Sequence, residues 1–141
     1  MVNLLAGPKG TGKTQQMIEL ANQTVKDCNG NIVFIKKSHR DTYSLDFHIR
    51  AVCMADYASI VNTDEYIGFI YGMLSANSDI EVIFIDGILK HADISMENIP
   101  DFVKRLNAIS TDCKIDFYVS VSAGKDEIEK EVDLADCKIL N

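Results

Sequence analysis

Short runs of consecutive apolar residues recur along the chain, and stretches with helical periodicity separate them. Runs that are apolar on both faces and rich in β-branched and aromatic residues are typical of buried strands. The segment 47–54, "FHIRAVCM", instead alternates apolar and polar positions, which indicates an extra strand. The continuous runs are "VNLLA" (2–6), "NIVFI" (31–35), "EVIFID" (81–86), "DFYVSVSA" (116–123) and the shorter "CKIL" (137–140).

The stretches between these runs place apolar residues three and four positions apart, as an amphipathic helix does. Helices are predicted over 14–27, 62–75, 98–110 and 125–132. Asn62 and Glu65 have the spacing of a capping box, and Pro100 falls in a first turn, where proline is tolerated. Buried strands that alternate with helices favour a parallel sheet covered on both faces. We expect one α/β domain over 1–141, a three-layer α/β/α sandwich around a mainly parallel five-stranded sheet.

Length and composition narrow the class of protein. The 141 residues suit a single core, and the hydrophobic fraction of 47% is ordinary for a globular chain. No apolar run approaches the roughly 18 to 20 residues of a membrane span. A strand begins directly after Met1, so we expect a cytoplasmic protein without a cleavable signal. Four cysteines without a CxxC pair predict reduced thiols rather than a disulfide framework or a zinc ribbon.

The charge bears on the partners of the protein. A formal net charge of −7 argues against sequence-independent binding to nucleic acid, which depends on neutralising phosphates with Lys and Arg. The one compact basic patch follows the second strand, and we interpret it as a solvated strand end. It consists of Lys36, Lys37, His39 and Arg40.

The motif with the clearest chemistry is "GPKGTGKT" at 7–14, which fits the pattern GxxxxGK[ST] and lies between a strand and a helix. Its glycines let successive backbone N–H groups point at phosphate oxygens, and the start of the helix adds its positive end. We expect Lys13 to reach the β- and γ-phosphates and the Thr14 hydroxyl to ligate Mg²⁺. The predicted nucleotide-binding residues are Gly7, Pro8, Lys9, Gly10, Thr11, Gly12, Lys13, Thr14 and Gln15.

This motif identifies the chain as similar to the P-loop NTPase superfamily. The run "VIFID" ends in Asp86 and resembles the Walker B motif of that family, which implies that Asp86 holds the magnesium ion. In the RecA-like and related ATPase branch, the strand after Walker B inserts between it and the P-loop strand. The end of that strand carries a polar residue that senses the γ-phosphate, a role that Ser120 or Ser122 would fill. The resemblance implies ATP and Mg²⁺ as cofactors, with Lys13 and Asp86 as catalytic residues.

The segment "FIKKSHRDTYSLDFHIRAV", followed by a helix and "VIFID", also resembles in order and spacing the core of the tetrameric-type thymidine kinases. The chain departs from those kinases in lacking their cysteine-ligated zinc and lasso loop. They also place a glutamate base directly after the Walker B aspartate, where this chain has Gly87. The sequence does not fit the GTPase pattern DxxG, because position 89 is Leu, and it contains no NKxD motif for reading guanine. We therefore expect the bound nucleotide to carry adenine rather than guanine.

A substitute for the missing base is sought among nearby polar residues. RecA-like proteins can supply the base from the end of the strand after the first helix, and Asp41 lies in that region. His91 and Asp93, after Asp86, are further options. Because loops are rich in polar groups, the ordinary interpretation of each of the three is a surface loop residue without a catalytic role. Any arginine finger must come from Arg40, Arg50 or Arg105, the three arginines of the chain.

The sequence therefore predicts an ATP-binding, Mg-dependent switch or assembly component with slow or partner-dependent ATP hydrolysis. Its state would be read by a protein partner or by another copy of the chain. We expect the Lys13 side chain to face solvent when no ligand is bound. The alternative is a small-molecule, nucleoside-type kinase related to thymidine kinase. A third possibility is a motor fragment similar to the secretion and twitching-motility ATPases, which share the form GPxGxGK[ST].

Overall fold

A computed structural model describes residues 1–39 and 44–141 of the chain. Six strands alternate with four helices in these residues. The strands are β1 (Val2–Ala6), β2 (Asn31–Lys36), β3 (Ile49–Cys53), β4 (Ile80–Ile85), β5 (Asp116–Val121) and β6 (Lys138–Ile139). The helices are α1 (Lys13–Asp27), α2 (Thr63–Ala76), α3 (Ile99–Cys113) and α4 (Lys125–Glu131). Short 3-10 turns follow β3 and β4, at Met54–Asp56 and Ile88–Lys90.

The strands form one sheet in the order β3-β2-β4-β5-β1-β6, and its strand pairs within the described residues are all parallel. β5 lies between β4 and β1, which confirms the insertion expected for the RecA-like branch. The expected number of five strands is wrong, because the sheet has six. The edge strand β6 lies within the predicted run 137–140 and pairs two of its residues with β1.

Local sequence explains the helix boundaries. At α2, Glu65 N donates to Asn62 Oδ1 over 2.9 Å and Asn62 N donates to Glu65 Oε1 over 3.2 Å, which confirms the capping box. α3 carries Pro100 in its first turn, where a missing N–H costs nothing, and continues three residues beyond the predicted end at position 110. All four predicted helices are present in the structure.

The core has a layer on each face of the sheet. Along β1, Val2, Leu4 and Ala6 belong to one buried cluster and Leu5 to the other, as the alternation of a strand requires. The larger cluster is built with α2, α3 and α4, and the smaller with α1. This arrangement confirms the three-layer α/β/α sandwich. In the described residues, no helix has the length and apolar character needed to cross a membrane.

Because the strands are parallel, their carboxyl ends meet along one edge of the sheet. The P-loop leaves β1 at this edge, and Asp86 follows β4 there. Ser120 lies near the end of β5 and Lys36 ends β2. The fold thus gathers groups from four neighbouring strands at one place.

Candidate functional site

The P-loop holds a conformation that exposes backbone donors. Gly10 and Gly12 have φ angles of +83° and +81°, in the left-handed region where a side chain is strained. Gly12 is the N-cap of α1 and no side chain caps the helix, so the first N–H groups of α1 are left to a ligand. The positive end of the helix adds to the attraction for anions. This loop is suited to bind phosphate.

Lys13 lies inside this loop. Its side chain is 8% exposed, and Nζ donates to the carbonyl oxygen of Pro8 over 2.8 Å. The Thr11 hydroxyl donates to the same oxygen over 2.7 Å. Burial lowers the pKa of Lys13, while the charge of Asp86 raises it and that of Lys90 lowers it. The expectation that Lys13 faces solvent without a ligand is wrong, because the carbonyl of its own loop supplies an acceptor.

Asp86 links the P-loop to the neighbouring strands. Its Oδ2 accepts from the Thr14 hydroxyl over 2.9 Å, and its Oδ1 accepts from the Ser120 hydroxyl over 2.8 Å. The Gly87 N–H in turn donates to Ser120 Oγ over 2.7 Å. A hydroxyl and a carboxylate oxygen 2.9 Å apart are hard ligands of the kind that Mg²⁺ prefers. Thr14 and Asp86 therefore fit the expected metal, which when bound would neutralise phosphate charge.

A cavity of about 320 Å³ opens between the P-loop and the ends of β2, β4 and β5. Thr14 and Ser120 line it together with Asp86, which is the one carboxylate among its described lining residues. Ser122, the other predicted phosphate sensor, also lines the cavity. Its remaining described lining residues are Lys9, Gly10, Gly12, Lys13, Lys36, Lys37, Ser38, Gly87 and Lys90.

His91 is not the surface loop residue that its position suggests. It is fully buried, and its Nε2 lies 2.8 Å from the carbonyl oxygen of Asp86. A carbonyl only accepts, so Nε2 carries the proton of the ring. Nδ1 lies 3.5 Å from the hydroxyl of Tyr66 on α2, and burial lowers the pKa of His91. His91 does not line the cavity, so it holds the backbone of Asp86 rather than a water molecule.

Of the other candidates for the base and the arginine finger, those that the structure describes do not line the cavity. Asp93 is exposed and accepts from the Thr63 hydroxyl over 2.8 Å. Arg105 donates to Asp64 over 2.8 Å, on the face covered by α2 and α3. Asp41 and Arg40 lie outside the described residues. Arg50, on β3, lines a separate cavity.

Sequence reasoning missed three cavity residues, Lys36, Lys37 and Lys90. The interpretation of the basic patch as a solvated strand end is wrong for Lys36, which is 6% exposed. The position of Lys36 at the carboxyl end of a buried strand was the available signal, because that edge of a parallel sheet forms the ligand site. Lys90 gave no such signal.

Comparison with known proteins reveals the fold. No protein-family model matches the chain, and no curated protein matches it. A KaiC-like protein from Pyrococcus horikoshii OT3 is similar in structure, with a TM-score of 0.63 and 20% identity over 92% of this chain. The flagellar accessory protein FlaH from Methanocaldococcus jannaschii gives a TM-score of 0.61 and 11% identity over 93%. This chain spans 66% and 67% of those two proteins, about two thirds of each.

The chain thus has the α/β RecA-like P-loop fold. The position of β5 between β4 and β1 agrees with this assignment. The resemblance to thymidine kinases is not confirmed by these comparisons and stays a prediction.

Proposed function

We propose that this domain binds ATP with Mg²⁺ at the cavity of the P-loop and acts as a nucleotide-dependent switch. The observation that carries the proposal is the arrangement of Thr14, Asp86 and Ser120. Hydrogen bonds hold Thr14 on α1 and Ser120 on β5 against Asp86, which directly follows β4. Preorganised ligands of this kind cost little to order when the nucleotide and its metal arrive.

The proposal assigns a role to each part of the site. The backbone amides of the P-loop and Lys13 bind the phosphates, and Lys13 exchanges the carbonyl of Pro8 for a phosphate oxygen. Thr14 and Asp86 hold the metal. Ser120 orients the carboxylate of Asp86 by donating its one O–H to it, so a role of Ser120 as a sensor would act through Asp86 rather than through a direct bond to phosphate.

Hydrolysis is expected to be slow or to depend on a partner. Phosphoryl transfer to water needs a group that orients the attacking water. The carboxylate of Asp86 already accepts hydrogen bonds at both oxygens, and no second carboxylate lies among the described lining residues. A partner protein or a second copy of the chain would supply the group that the described lining residues lack.

The switch would act through the turn after β4. His91 in this turn joins the backbone of Asp86 to Tyr66 on α2, and Tyr66 packs edge-on against Phe102 of α3. A shift of Asp86 on metal binding would therefore reach two helices through buried contacts. This buried connection supports a switch whose state is read at the surface of α2 and α3.

The test is a thermal-shift and calorimetry panel with ATP, ADP, GTP and thymidine, each with Mg²⁺. Stabilisation by ATP that thymidine does not increase supports the switch. Extra stabilisation when thymidine is added to ATP would favour the kinase alternative instead. Absence of stabilisation by any nucleotide would contradict the proposal. Lys26→Ala, at an exposed position on α1, is a control for the effect of removing a lysine.

A further inference from the structure

Cations crowd the cavity although the chain as a whole is acidic. The formal net charge is −7, with 14 lysines and arginines in total. Five lysines line this one cavity, against the single carboxylate of Asp86 among its described residues. They are Lys9, Lys13, Lys36, Lys37 and Lys90. This excess of lysine over carboxylate among the described lining residues gives the cavity a positive local field, which attracts a ligand of high negative charge.

Two of these lysines belong to the P-loop, and three do not. The three are named here the lysine wall: Lys36 ends β2, Lys37 follows it, and Lys90 ends the turn after β4. β2 and β4 are adjacent, whereas β5 separates β4 from the P-loop strand β1. Lys36 and Lys37 therefore lie beyond Asp86 as seen from the P-loop, and Lys90 follows Asp86 in the turn after β4.

The sheet itself fixes the position of Lys36. The Asp86 N–H donates to the carbonyl oxygen of Ile35 over 2.9 Å, so Lys36 directly follows the backbone contact that holds Asp86. Lys36 is 6% exposed and still lines the cavity. Lysine is rarely so buried in proteins. A rigid strand thus delivers this side chain to the same cavity as the metal ligands.

Lys90 reaches the cavity from the other neighbouring element. Gly87 has a φ of +68°, which turns the chain back after β4, and a side-chain Cβ at this position would lie 3.6 Å from Lys90 Cδ. The stem of Lys90 therefore covers the position where the kinases that the sequence resembles carry a glutamate. The positive charge of Lys90 also contributes to the lowered pKa of Lys13, in agreement with its place at the cavity.

The location of the lysine wall indicates which part of a nucleotide it meets. The amides of a P-loop cradle the α- and β-phosphates, and the metal ligands act at the junction of the β- and γ-phosphates. Thr14 and Asp86 mark that junction here. A third phosphate then extends past Asp86, on the side of the lysine wall. A nucleoside diphosphate ends before it.

We infer that the lysine wall binds the terminal phosphate and makes this site select nucleoside triphosphates over diphosphates. The inference rests on the proposed function and names the ligand state that the switch reports. Lysine supplies charge to the terminal phosphate but cannot orient an attacking water as a carboxylate does. The lysine wall therefore holds a triphosphate without promoting its hydrolysis, and it does so within one chain.

The experiment measures dissociation constants by calorimetry for ATP, its β,γ-imido analogue and ADP at saturating Mg²⁺. The variants are Lys36→Gln and Lys90→Gln, with Lys104→Gln at an exposed position of α3 as the matched control. We expect wild type to bind ATP at least tenfold more tightly than ADP. Each variant of the lysine wall should lose roughly tenfold in affinity for ATP and its analogue, since a charge-assisted hydrogen bond is removed. Its affinity for ADP should change less than about twofold.

The outcomes separate the inference from the proposed function. If wild type binds ATP and ADP equally, or if both variants keep the wild-type ratio, the inference is overturned and the proposed function stands. If wild type binds neither nucleotide, both fail. Because Lys36 is buried, circular dichroism must check that its variant folds. If Lys36→Gln unfolds, the ATP and ADP affinities of Lys90→Gln and Lys37→Gln, both at exposed positions, test the inference instead.

Discussion

The P-loop side of the cavity and the lysine wall both present positive charge, but they do so by different means. On the P-loop side the groups are backbone amides, whose direction depends on left-handed glycines at 10 and 12. In the lysine wall they are side chains carried by a strand end and a turn, at Lys36, Lys37 and Lys90. Backbone amides demand a fixed pattern of residues, whereas a side-chain ammonium can come from several positions. The first side is therefore readable as a motif and the second is not.

The two sides also differ in what they contribute to chemistry. The P-loop side, with Thr14 and Asp86, carries the donors and the hard oxygen ligands that the proposed binding of phosphate and metal needs. The opposite side carries cations where a hydrolytic enzyme needs an acceptor for the proton of water. The experiments below test this division of the cavity into a binding side and a side that holds the terminal phosphate without activating water.

The largest expected effect concerns the rate of ATP hydrolysis. Without an oriented water, turnover should fall about 10³-fold or more below an ordinary enzyme rate of roughly 10 per second. A phosphate-release assay over a wide range of protein concentration measures it, with Lys13→Ala as the blank. A rate that rises with concentration indicates a group supplied by a second copy. Fast turnover per molecule that does not depend on protein concentration and is lost in Asp41→Asn would show a catalytic base in the same chain. This result would contradict the division of the cavity into a binding side and a side that does not activate water.

The next largest effect is that of Lys13→Ala on ATP affinity. Removal of the ammonium eliminates charge-assisted hydrogen bonds to phosphate, each worth about 1.5 to 3 kcal/mol, so affinity should drop by about tenfold to more than a hundredfold. Stability should change by less than about 1 kcal/mol, because the Pro8 carbonyl keeps its bond from the Thr11 hydroxyl and the desolvation cost of the ammonium disappears with it. Calorimetry and urea denaturation measure the two effects. An unchanged dissociation constant for ATP would contradict the assignment of phosphate binding to the P-loop.

The response to magnesium provides a third test. Asp86→Asn keeps one oxygen acceptor for Thr14 or Ser120, so the fold should persist, but an amide is a poorer ligand for a hard cation. We expect Mg²⁺ to strengthen ATP binding in wild type and to have little effect, less than about threefold, in the variant. The matched control is Asp93→Asn, an exposed carboxylate beyond the same turn. Equal responses of wild type and Asp86→Asn to a magnesium titration would exclude Asp86 as the metal ligand.

Much of the fold was predictable because strong local patterns decide it. The apolar runs of β1, β2, β4 and β5 and the capping box at Asn62 are signals that tertiary contacts reinforce rather than override. The P-loop and Asp86 were predictable for the same reason, since the motif encodes its own geometry.

The remaining features depend on contacts between distant segments. His91 looks like a polar loop residue, yet the packing of its turn against Tyr66 buries it completely. Lys36 looks solvated, yet the order of the strands places it at the cavity. Lys90 lies three residues after Gly87, whose left-handed φ of +68° has no signature in the sequence beyond the glycine itself. Lys36 had one signal in the sequence, its position at the carboxyl end of a buried strand, whereas His91 and Lys90 depend on contacts beyond any short stretch and could not be predicted from pattern or motif.

The smallest expected effect tests the turn that carries Lys90. Gly87 is left-handed, with φ +68° and ψ +54°, and an added Cβ would make only ordinary contacts with Lys90 at 3.6 and 4.0 Å. The cost of Gly87→Ala is therefore backbone strain, about 1 kcal/mol, which should lower the melting temperature by roughly 3 to 5 °C. Asparagine tolerates the left-handed region of φ and ψ better than alanine does, so Gly87→Asn should lose less stability than Gly87→Ala.

The control for this test reverses the sign of the effect. Gly72 lies exposed within α2 with open space around it, so Gly72→Ala should raise stability by about 0.5 to 1 kcal/mol through helix propensity. Thermal and urea denaturation of the three variants measure these differences. A stabilising Gly87→Ala would mean that the turn does not need its left-handed residue. The conformation of position 87 would then not be what brings Lys90 to the cavity. The contrast between the P-loop side, which a motif specifies, and the lysine wall, part of which depends on this turn, would be weaker.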